Sequence, residues 1–228
     1  MKFLALPFVA FALIAAKADE PAASTLPINP PPSVLADPAN ELTLQLSNGG
    51  TVVIELRPDA APNHVKRVQT LVRQGFYDGT IFHRVIPGFM AQGGDPTGTG
   101  EGGSKLPDLK AEFNSLPHLR GTVSAARTAD STDTANSQFF IMFTPNASLN
   151  GDYTVFGRVT SGMEAVDSIA PGQPPANPTK IVHASLGDGS APPARPTAPA
   201  AVEATVPLTL PAAEAPADTP EDESTPGG

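Results

Sequence analysis

Cysteine is absent from this sequence of 228 residues, and so is tryptophan. Without cysteine the chain can form no disulfide, no thiolate metal site and no lipid attachment through an N-terminal cysteine. The absence also removes disulfides as a guide to whether the compartment is oxidising. The histidines stand far apart, with no paired carboxylate at ligand spacing: His64, His83, His118 and His183. We therefore predict that the protein has no metal site.

Aromatic side chains are scarce, at 6% of the residues, and they are unevenly placed. None lies between Phe11 and Phe76, and none follows Phe156. Large rings supply much of the buried area of a core, so the core must sit mostly between these limits, with flanking strands completing it. We assign residues 40–187 to one folded domain.

Positive charge is also in short supply. Lys and Arg number 14 against 23 Asp and Glu, which gives a formal net charge of −9. No cluster of basic residues with interleaved aromatics offsets this acidity. We therefore predict that the protein does not bind nucleic acid.

The first 18 residues have the layout of a secretory signal peptide. Lys2 precedes an apolar run from Phe3 to Ala16, and Ala16-Lys17-Ala18 fits a small-x-small cleavage site. The run is short for a full membrane span, although an uncleaved membrane anchor is the alternative interpretation. We predict a bacterial exported protein, located in the periplasm, with no stable membrane insertion once residues 1–18 are removed.

Proline-rich segments flank the domain on both sides. Residues 19–39 hold six prolines and no aromatic residue, which predicts an extended linker, polyproline-like around Pro30, Pro31 and Pro32. Residues 188–228 are rich in Pro, Ala and acidic residues, and they lack aromatics. Because such a segment buries too little apolar surface to offset its ordering entropy, we predict that it is disordered.

Within the domain, the hydrophobic periodicity predicts many strands and few helices. ELTLQLS and TVVIELR alternate around Asn48-Gly49-Gly50, which predicts a hairpin. A helix follows, with Pro62 in its first turn and Gly75 just past its end. Short β-rich runs, a second helix at MEAVDSIA and a closing strand KIVHASLG complete the domain. This pattern favours a closed antiparallel barrel with helices over its ends.

One motif in the sequence suggests a function that its context excludes. Residues 98–103 formally contain GxGxxG, the fingerprint of dinucleotide-binding loops. That fingerprint must open a helix, and Pro107 in the segment SKLPDLKAE stands in the wrong place for one. A flexible surface loop is the better interpretation.

Three segments together resemble the cyclophilins, a family of peptidyl-prolyl cis-trans isomerases (EC 5.2.1.8). FYDGTIFHRVIPGFMAQGGDPTGTGEGG at 76–103 is similar to the family's central segment. GTVSAARTAD at 121–130 and SQFFIMFTPNASLNGDYTVFGRVTSGMEAVDSI at 137–169 are similar to later segments. The resemblance covers about residues 41–187, and it implies a mainly β fold: a closed eight-stranded antiparallel barrel capped by two helices.

The resemblance also implies a site on the outer wall of the barrel. Arg84, in FHR, takes the position of the catalytic arginine. The positions that match the substrate-binding set are Phe89, Met90, Gln92, Ala126, Gln138, Phe140, Leu149 and Tyr153. Rotation about an X-Pro bond makes and breaks no covalent bond, so the predicted reaction needs no cofactor.

Three positions depart from the pattern of many cyclophilins. Arg127 stands where many members carry asparagine, Ser148 where many carry tryptophan, and Tyr153 where a pocket histidine is frequent. These changes leave the isomerase positions intact. They put in doubt the preference for peptides and for cyclosporin, the cyclic-peptide ligand associated with the family.

The predicted partners are proline-containing unfolded or extended polypeptide segments, which a monomeric protein would isomerise during the folding of exported proteins. An alternative from another class is a binding module or holdase chaperone, with turnover incidental. A third possibility is that the proline-rich tails dock the protein to a partner in the cell envelope.

Overall fold

The computed structural model describes residues 25–190. The predicted signal peptide, the first part of the predicted linker and nearly all of the predicted tail lie outside the described residues. Within the described part, no helix is long and apolar enough to cross a membrane.

Eight antiparallel strands form one curled sheet, in the order β3-β4-β6-β5-β7-β2-β1-β8. The strands are β1 (Glu41–Leu46), β2 (Thr51–Leu56), β3 (Arg84–Ile86), β4 (Met90–Gly93), β5 (Thr122–Ala125), β6 (Phe139–Met142), β7 (Val155–Ser161) and β8 (Ile181–Leu186). The helices are α1 (Pro32–Leu35), α2 (Pro62–Arg73) and α3 (Met163–Asp167), with 3₁₀ turns at Pro38–Asn40 and Ala147–Leu149. The predicted hairpin is therefore confirmed as β1–β2, and the two predicted helices as α2 and α3.

The prediction of a closed barrel is wrong, because the sheet is an open half-barrel. Within the described residues, its edge strands β3 and β8 do not pair along their lengths. The two edges are connected by the isolated bridges Ile81–Lys180 and Val85–Gly172 and by a hydrogen bond from Gly79 N–H to the Ile181 carbonyl. The segment leading into β8 carries prolines at positions 171, 174, 175 and 178. Since proline has no N–H to donate, this segment cannot extend a continuous ladder along β3.

The main core lies inside the curl of the sheet and is sealed by α2. Alternate residues of β1 and β2 are buried, as the period of two requires. Tyr77, Phe82 and Phe139 pack edge to face at the centre, with ring centroids 5.8–6.2 Å apart. Helix α2 buries the predicted apolar face, made by Val65, Val68, Leu71 and Val72.

Residues 25–39 lie against the domain, in contrast to the predicted extended linker. Pro32–Leu35 form one helical turn, and the Val34 side chain is buried. The buried Arg57 guanidinium donates hydrogen bonds to the carbonyls of Pro27 and Ile28, each at 2.9 Å. Polyproline backbone has no internal hydrogen bonds, so its carbonyls are free to accept hydrogen bonds from a nearby arginine. These bonds fix where the segment lies on the domain.

Candidate active site

Strand β6 contributes to two separate apolar clusters because its side chains alternate between the faces of the sheet. Phe139 and Ile141 point into the main core, whereas Phe140 and Met142 join a second cluster on the outer face. Met90 of β4 packs beside them. The remaining members of this second cluster are Ile86, Phe89, Ala126, Leu149 and Tyr153.

A cavity of about 180 Å³ opens over this second cluster. Its lining contains eight of the nine side chains that the cyclophilin resemblance assigns to the site, together with Arg127. They are Arg84, Phe89, Met90, Gln92, Ala126, Phe140, Leu149 and Tyr153. The ninth, Gln138, lies behind Gln92 and lines a neighbouring cavity instead.

A chain of side-chain hydrogen bonds runs from Arg84 away from the cavity. Arg84 Nη1 donates to Gln92 Oε1 at 3.4 Å, and Gln92 Nε2 donates to Gln138 Oε1 at 2.9 Å. Gln138 Nε2 in turn donates to the carbonyls of Gly100 and Gly102, both at 2.8 Å. This series of hydrogen bonds explains why Gln138 lies outside the cavity. Gln138 orients Gln92, and Gln92 in turn contacts Arg84.

Arg84 has a second hydrogen-bond partner that the sequence analysis did not identify. Its Nε donates to Gln173 Oε1 at 3.2 Å. Gln173 is 89 residues distant in sequence, in the proline-rich segment that leads to β8. No motif marks this glutamine, because the contact exists only once the two edges of the sheet approach each other.

The apolar wall of the cavity is made rigid by packed rings. Phe140 stacks on His118 at a centroid distance of 6.1 Å and meets the edge of Tyr153 at 5.5 Å. His118 is buried, and its ring nitrogens lie 3.0 Å from Asn150 Oδ1 and 2.9 Å from Ser124 Oγ. Burial lowers the pKa of His118 more than the Asn150 hydrogen bond raises it, so the ring is neutral at pH 7.

Arg127 is a fixed positive charge at the rim. Its guanidinium lies over the Tyr153 ring, 4.8 Å from the centroid. It also donates to the carbonyls of Asp152 and Thr128, at 3.1 and 3.0 Å. The stacking and both hydrogen bonds hold Arg127 at the edge of the cavity and leave the apolar slot open.

A larger cavity of about 580 Å³ adjoins the first and shares Gln92, Ala126 and Arg127 with it. The carboxylates of Glu101, Asp108 and Asp130 are part of its lining. The larger cavity is therefore lined by three acidic groups and one arginine.

The glycine-rich loop that lines the larger cavity is organised around Asp95. Burial raises the pKa of Asp95, but hydrogen bonds from Thr97, Gly100 and Gly102 outweigh burial and lower it to about 2. The carboxylate thus satisfies the N–H groups that a bound phosphate would otherwise use. No helix opens after residue 103 in the described part of the loop, in agreement with the surface-loop interpretation.

Comparisons with known proteins identify the family of the chain. The family model described as "Cyclophilin type peptidyl-prolyl cis-trans isomerase/CLD" matches residues 42–186. A probable peptidyl-prolyl cis-trans isomerase of Brucella suis biovar 1 (strain 1330) is 50% identical over 167 residues, which cover 66% of this chain and 84% of that protein. Peptidyl-prolyl cis-trans isomerase B of Bacillus subtilis (strain 168) is 45% identical over 127 residues, covering 56% of this chain and 88% of that protein.

Two solved structures show the same fold. Cyclophilin AquaCyp293 from Hirschia baltica has a TM-score of 0.61 and 31% identity, over 66% of this chain and 74% of that chain. A cyclophilin-type isomerase of Cryptosporidium parvum, solved in the presence of the dipeptide Ala-Pro, has a TM-score of 0.60 and 30% identity. That match covers 64% of this chain and 98% of the other. The chain therefore belongs to the cyclophilin family and is a peptidyl-prolyl cis-trans isomerase.

Proposed function

We propose that the isomerase acts at the cavity over the second apolar cluster, with Arg84 as its catalytic residue and a proline ring of the substrate in the slot. One observation carries this proposal: a partly exposed guanidinium and an apolar slot floored by Met90 and Phe140 line the same cavity. Phe89 and Leu149 complete the walls of the slot. The substrate class is a proline-containing segment of an unfolded or extended polypeptide.

The energy that this site must supply is modest. Twisting an X-Pro amide breaks its resonance and meets a barrier of about 18–20 kcal/mol. The uncatalysed step takes on the order of 10–100 s. Shortening it to milliseconds requires a gain of roughly 10⁴-fold, or about 5.5 kcal/mol of preferential binding to the twisted amide.

Arg84 can supply much of this through hydrogen bonds that strengthen during rotation. As the amide twists, the prolyl nitrogen regains its lone pair and becomes an acceptor, which a fixed guanidinium can stabilise. The apolar slot excludes water and lowers the local dielectric, so that each such bond is stronger than it would be in water. No nucleophile or proton transfer is involved.

The peptide chain on either side of the proline needs a backbone partner, and the cyclophilin resemblance assigns this role to Ala126. The N–H of Ala126 already donates to the carbonyl of Gln138 at 3.0 Å. The carbonyl of Ala126 is therefore the group that we expect to accept a peptide N–H. Such backbone pairing holds an extended segment of the substrate beside the sheet, whatever the side chains of that segment are.

Substitution of Arg84 tests the proposal. We expect Arg84→Ala to lower kcat/KM for a short X-Pro peptide by at least about 100-fold, which corresponds to roughly 2.7 kcal/mol of transition-state stabilisation. NMR exchange measurements on the peptide would give the rate. Arg158→Ala, an exposed arginine on β7, is the matched control. An Arg84→Ala protein within threefold of the wild-type rate would contradict this role.

We also propose that the clients are exported proteins and that the isomerase works as a monomer in the periplasm. The signal-like residues 1–18 support export. Few large apolar side chains of the described residues are exposed, namely Ile28, Leu35 and Phe113, which supports a monomer. Cell fractionation, N-terminal sequencing of the purified protein and light scattering would test these points. A cytoplasmic, uncleaved or dimeric protein would contradict them.

A further inference from the structure

Gln173 reaches the proposed catalytic arginine from outside the strands that form the site. Its Oε1 accepts a hydrogen bond from Arg84 Nε at 3.2 Å, whereas Gln92 accepts from Nη1 at 3.4 Å. Gln92 belongs to β4, which pairs with β3, and Gln173 belongs to the segment between α3 and β8. Two glutamine amides from separate parts of the chain therefore orient one guanidinium.

The backbone holds Gln173 in this position by two hydrogen bonds immediately beside it. The N–H of Val85 donates to the Gly172 carbonyl at 2.8 Å, and the N–H of Gly172 donates to the Val85 carbonyl at 3.0 Å. Val85 is the residue after Arg84, and Gly172 is the residue before Gln173. Gly172 has φ of +143°, and a Cβ there would lie 2.6 Å from Pro175 Cα. This tight turn requires glycine and sets the direction in which the next residue leaves.

The chemistry of an amide suits a group that must orient a cation without neutralising it. A neutral carbonyl oxygen accepts one N–H and leaves the guanidinium charge available. A carboxylate at this position would instead form a bidentate ion pair with Arg84 and occupy guanidinium N–H donors that the substrate needs. In the described residues, Arg84 Nη2 has no hydrogen-bond acceptor, so this nitrogen keeps both donors for a substrate.

We propose that Gln173 is a positioning residue for isomerisation: it orients Arg84 through its amide oxygen, and its neutrality is needed for the reaction. The inference rests on the catalytic role proposed for Arg84. Because the bridge between Val85 and Gly172 fixes the backbone beside both residues, the folded backbone sets the orientation of the Arg84 guanidinium before a substrate binds. A substrate then meets a guanidinium whose plane is already set, which reduces the entropy lost in the transition state.

Two substitutions separate the functions of Gln173. Gln173→Met keeps the length of the side chain but removes the amide acceptor. We expect it to lower kcat by about three- to tenfold, the value of one hydrogen bond, with peptide Kd unchanged within twofold. Gln173→Glu keeps the acceptor and adds charge, and we expect a loss of about 30-fold or more, which diminishes as added salt screens the ion pair.

The controls are Gln45→Met and Gln45→Glu, which make the same changes at an exposed residue of β1. A direct readout is the Nε–H resonance of Arg84 in NMR spectra, which Gln173→Met should shift and the Gln45 variants should not. Gln173 is exposed, so the variants should keep the wild-type melting temperature. The activity of Arg84→Ala is measured in the same assay, because it tests the catalytic role on which this inference rests.

The outcomes distinguish this inference from the function on which it rests. If Arg84→Ala retains activity, the proposed catalytic role fails, and the inference fails with it. If Arg84→Ala is inactive while both Gln173 variants match the Gln45 controls, only the inference is overturned. A Gln173→Met protein with lower kcat but an unshifted Arg84 resonance would also overturn it, since the effect would not pass through the guanidinium.

Discussion

Single residues in this site owe their roles to the alternation of strands. Phe139 and Phe140 are neighbours of the same type, yet the first packs in the main core and the second floors the outer cavity. A shift of one residue in the register of β6 would exchange them and empty the slot. The identity of the site therefore depends on a register that β6 shares with β4 and β5.

Ser148 directly precedes Leu149, which lines the cavity, and it bears on the expected ligand preference. The cyclophilin resemblance places it where many members carry tryptophan, which offers a broad face and an indole N–H. The Ser148 hydroxyl donates to Asn146 Oδ1 at 2.7 Å, so its proton is already used within the 3₁₀ turn. The position thus presents neither the apolar face nor a free donor to a ligand.

We expect this protein to bind cyclosporin at least about 20-fold more weakly than a tryptophan-containing relative, since a lost indole contact costs about 2 kcal/mol. Titration calorimetry of both proteins in one buffer would measure the difference. Ser148→Trp should recover affinity while peptide turnover stays the same. Equal affinities of the two wild-type proteins would show that the rim does not discriminate in this way.

At the scale of elements, the segment before β1 is part of the packed structure, and the buried Arg57 is one of the side chains that hold it. Arg57 is 4% exposed and pairs with Asp59 through two bonds of 2.8 Å. Its hydrogen bond to Asp59, which outweighs burial, lowers the pKa of that carboxyl. The same guanidinium holds the carbonyls of Pro27 and Ile28, so one side chain joins the segment to the end of β2.

We expect removal of residues up to 31 to destabilise the domain, because the guanidinium then loses two charge-assisted hydrogen bonds worth about 1–3 kcal/mol in total. Arg57→Ala should cost about 3 kcal/mol or more, since it leaves Asp59 without its partner. Denaturant unfolding of the full chain, the truncated chain, Arg57→Ala and the combination would give a double-mutant cycle. Strictly additive effects would show that the segment is not held through Arg57.

At the scale of the whole described domain, three buried histidines weaken the fold as the pH becomes mildly acidic. Burial lowers the pKa of His83 and His118. It also lowers the pKa of His64, despite the Glu112 carboxylate 2.6 Å away. Each is neutral in the folded state at pH 7 and protonates more easily when the chain unfolds. Protons therefore bind preferentially to the unfolded chain as pH falls below about 6.5, which is the ordinary pKa of histidine.

We expect the free energy of unfolding to decrease between pH 7 and pH 5, with a fall in Tm on the order of a few degrees. Glu55 has the opposite effect, because burial raises its pKa, but it is one group against three. Asp95 titrates at about 2 and does not contribute in this range. Denaturant unfolding at the two pH values measures the change. Equal or higher stability at pH 5 would contradict the expectation.

Much of the fold could be predicted because the evidence for it is local. Alternation predicted the β1–β2 hairpin, and Pro62 and Gly75 bracketed α2 within two residues of its observed ends. The contiguous stretch around FHRVIPGFMAQGGD likewise identified the family, which the comparisons confirm. Composition could not predict that residues 25–39 pack on the domain, since proline-rich segments have no internal signal for where they lie.

The sequence by itself determined the β1–β2 hairpin, the two helices α2 and α3 and the family, because each of these is encoded in neighbouring residues. The tertiary structure alone decided that the sheet stays open along β3 and β8, because that depends on two edges distant in sequence. It also decided the surroundings of Arg84. The contact with Gln173 spans 89 positions and arises from a backbone bridge, so no local pattern could reveal it.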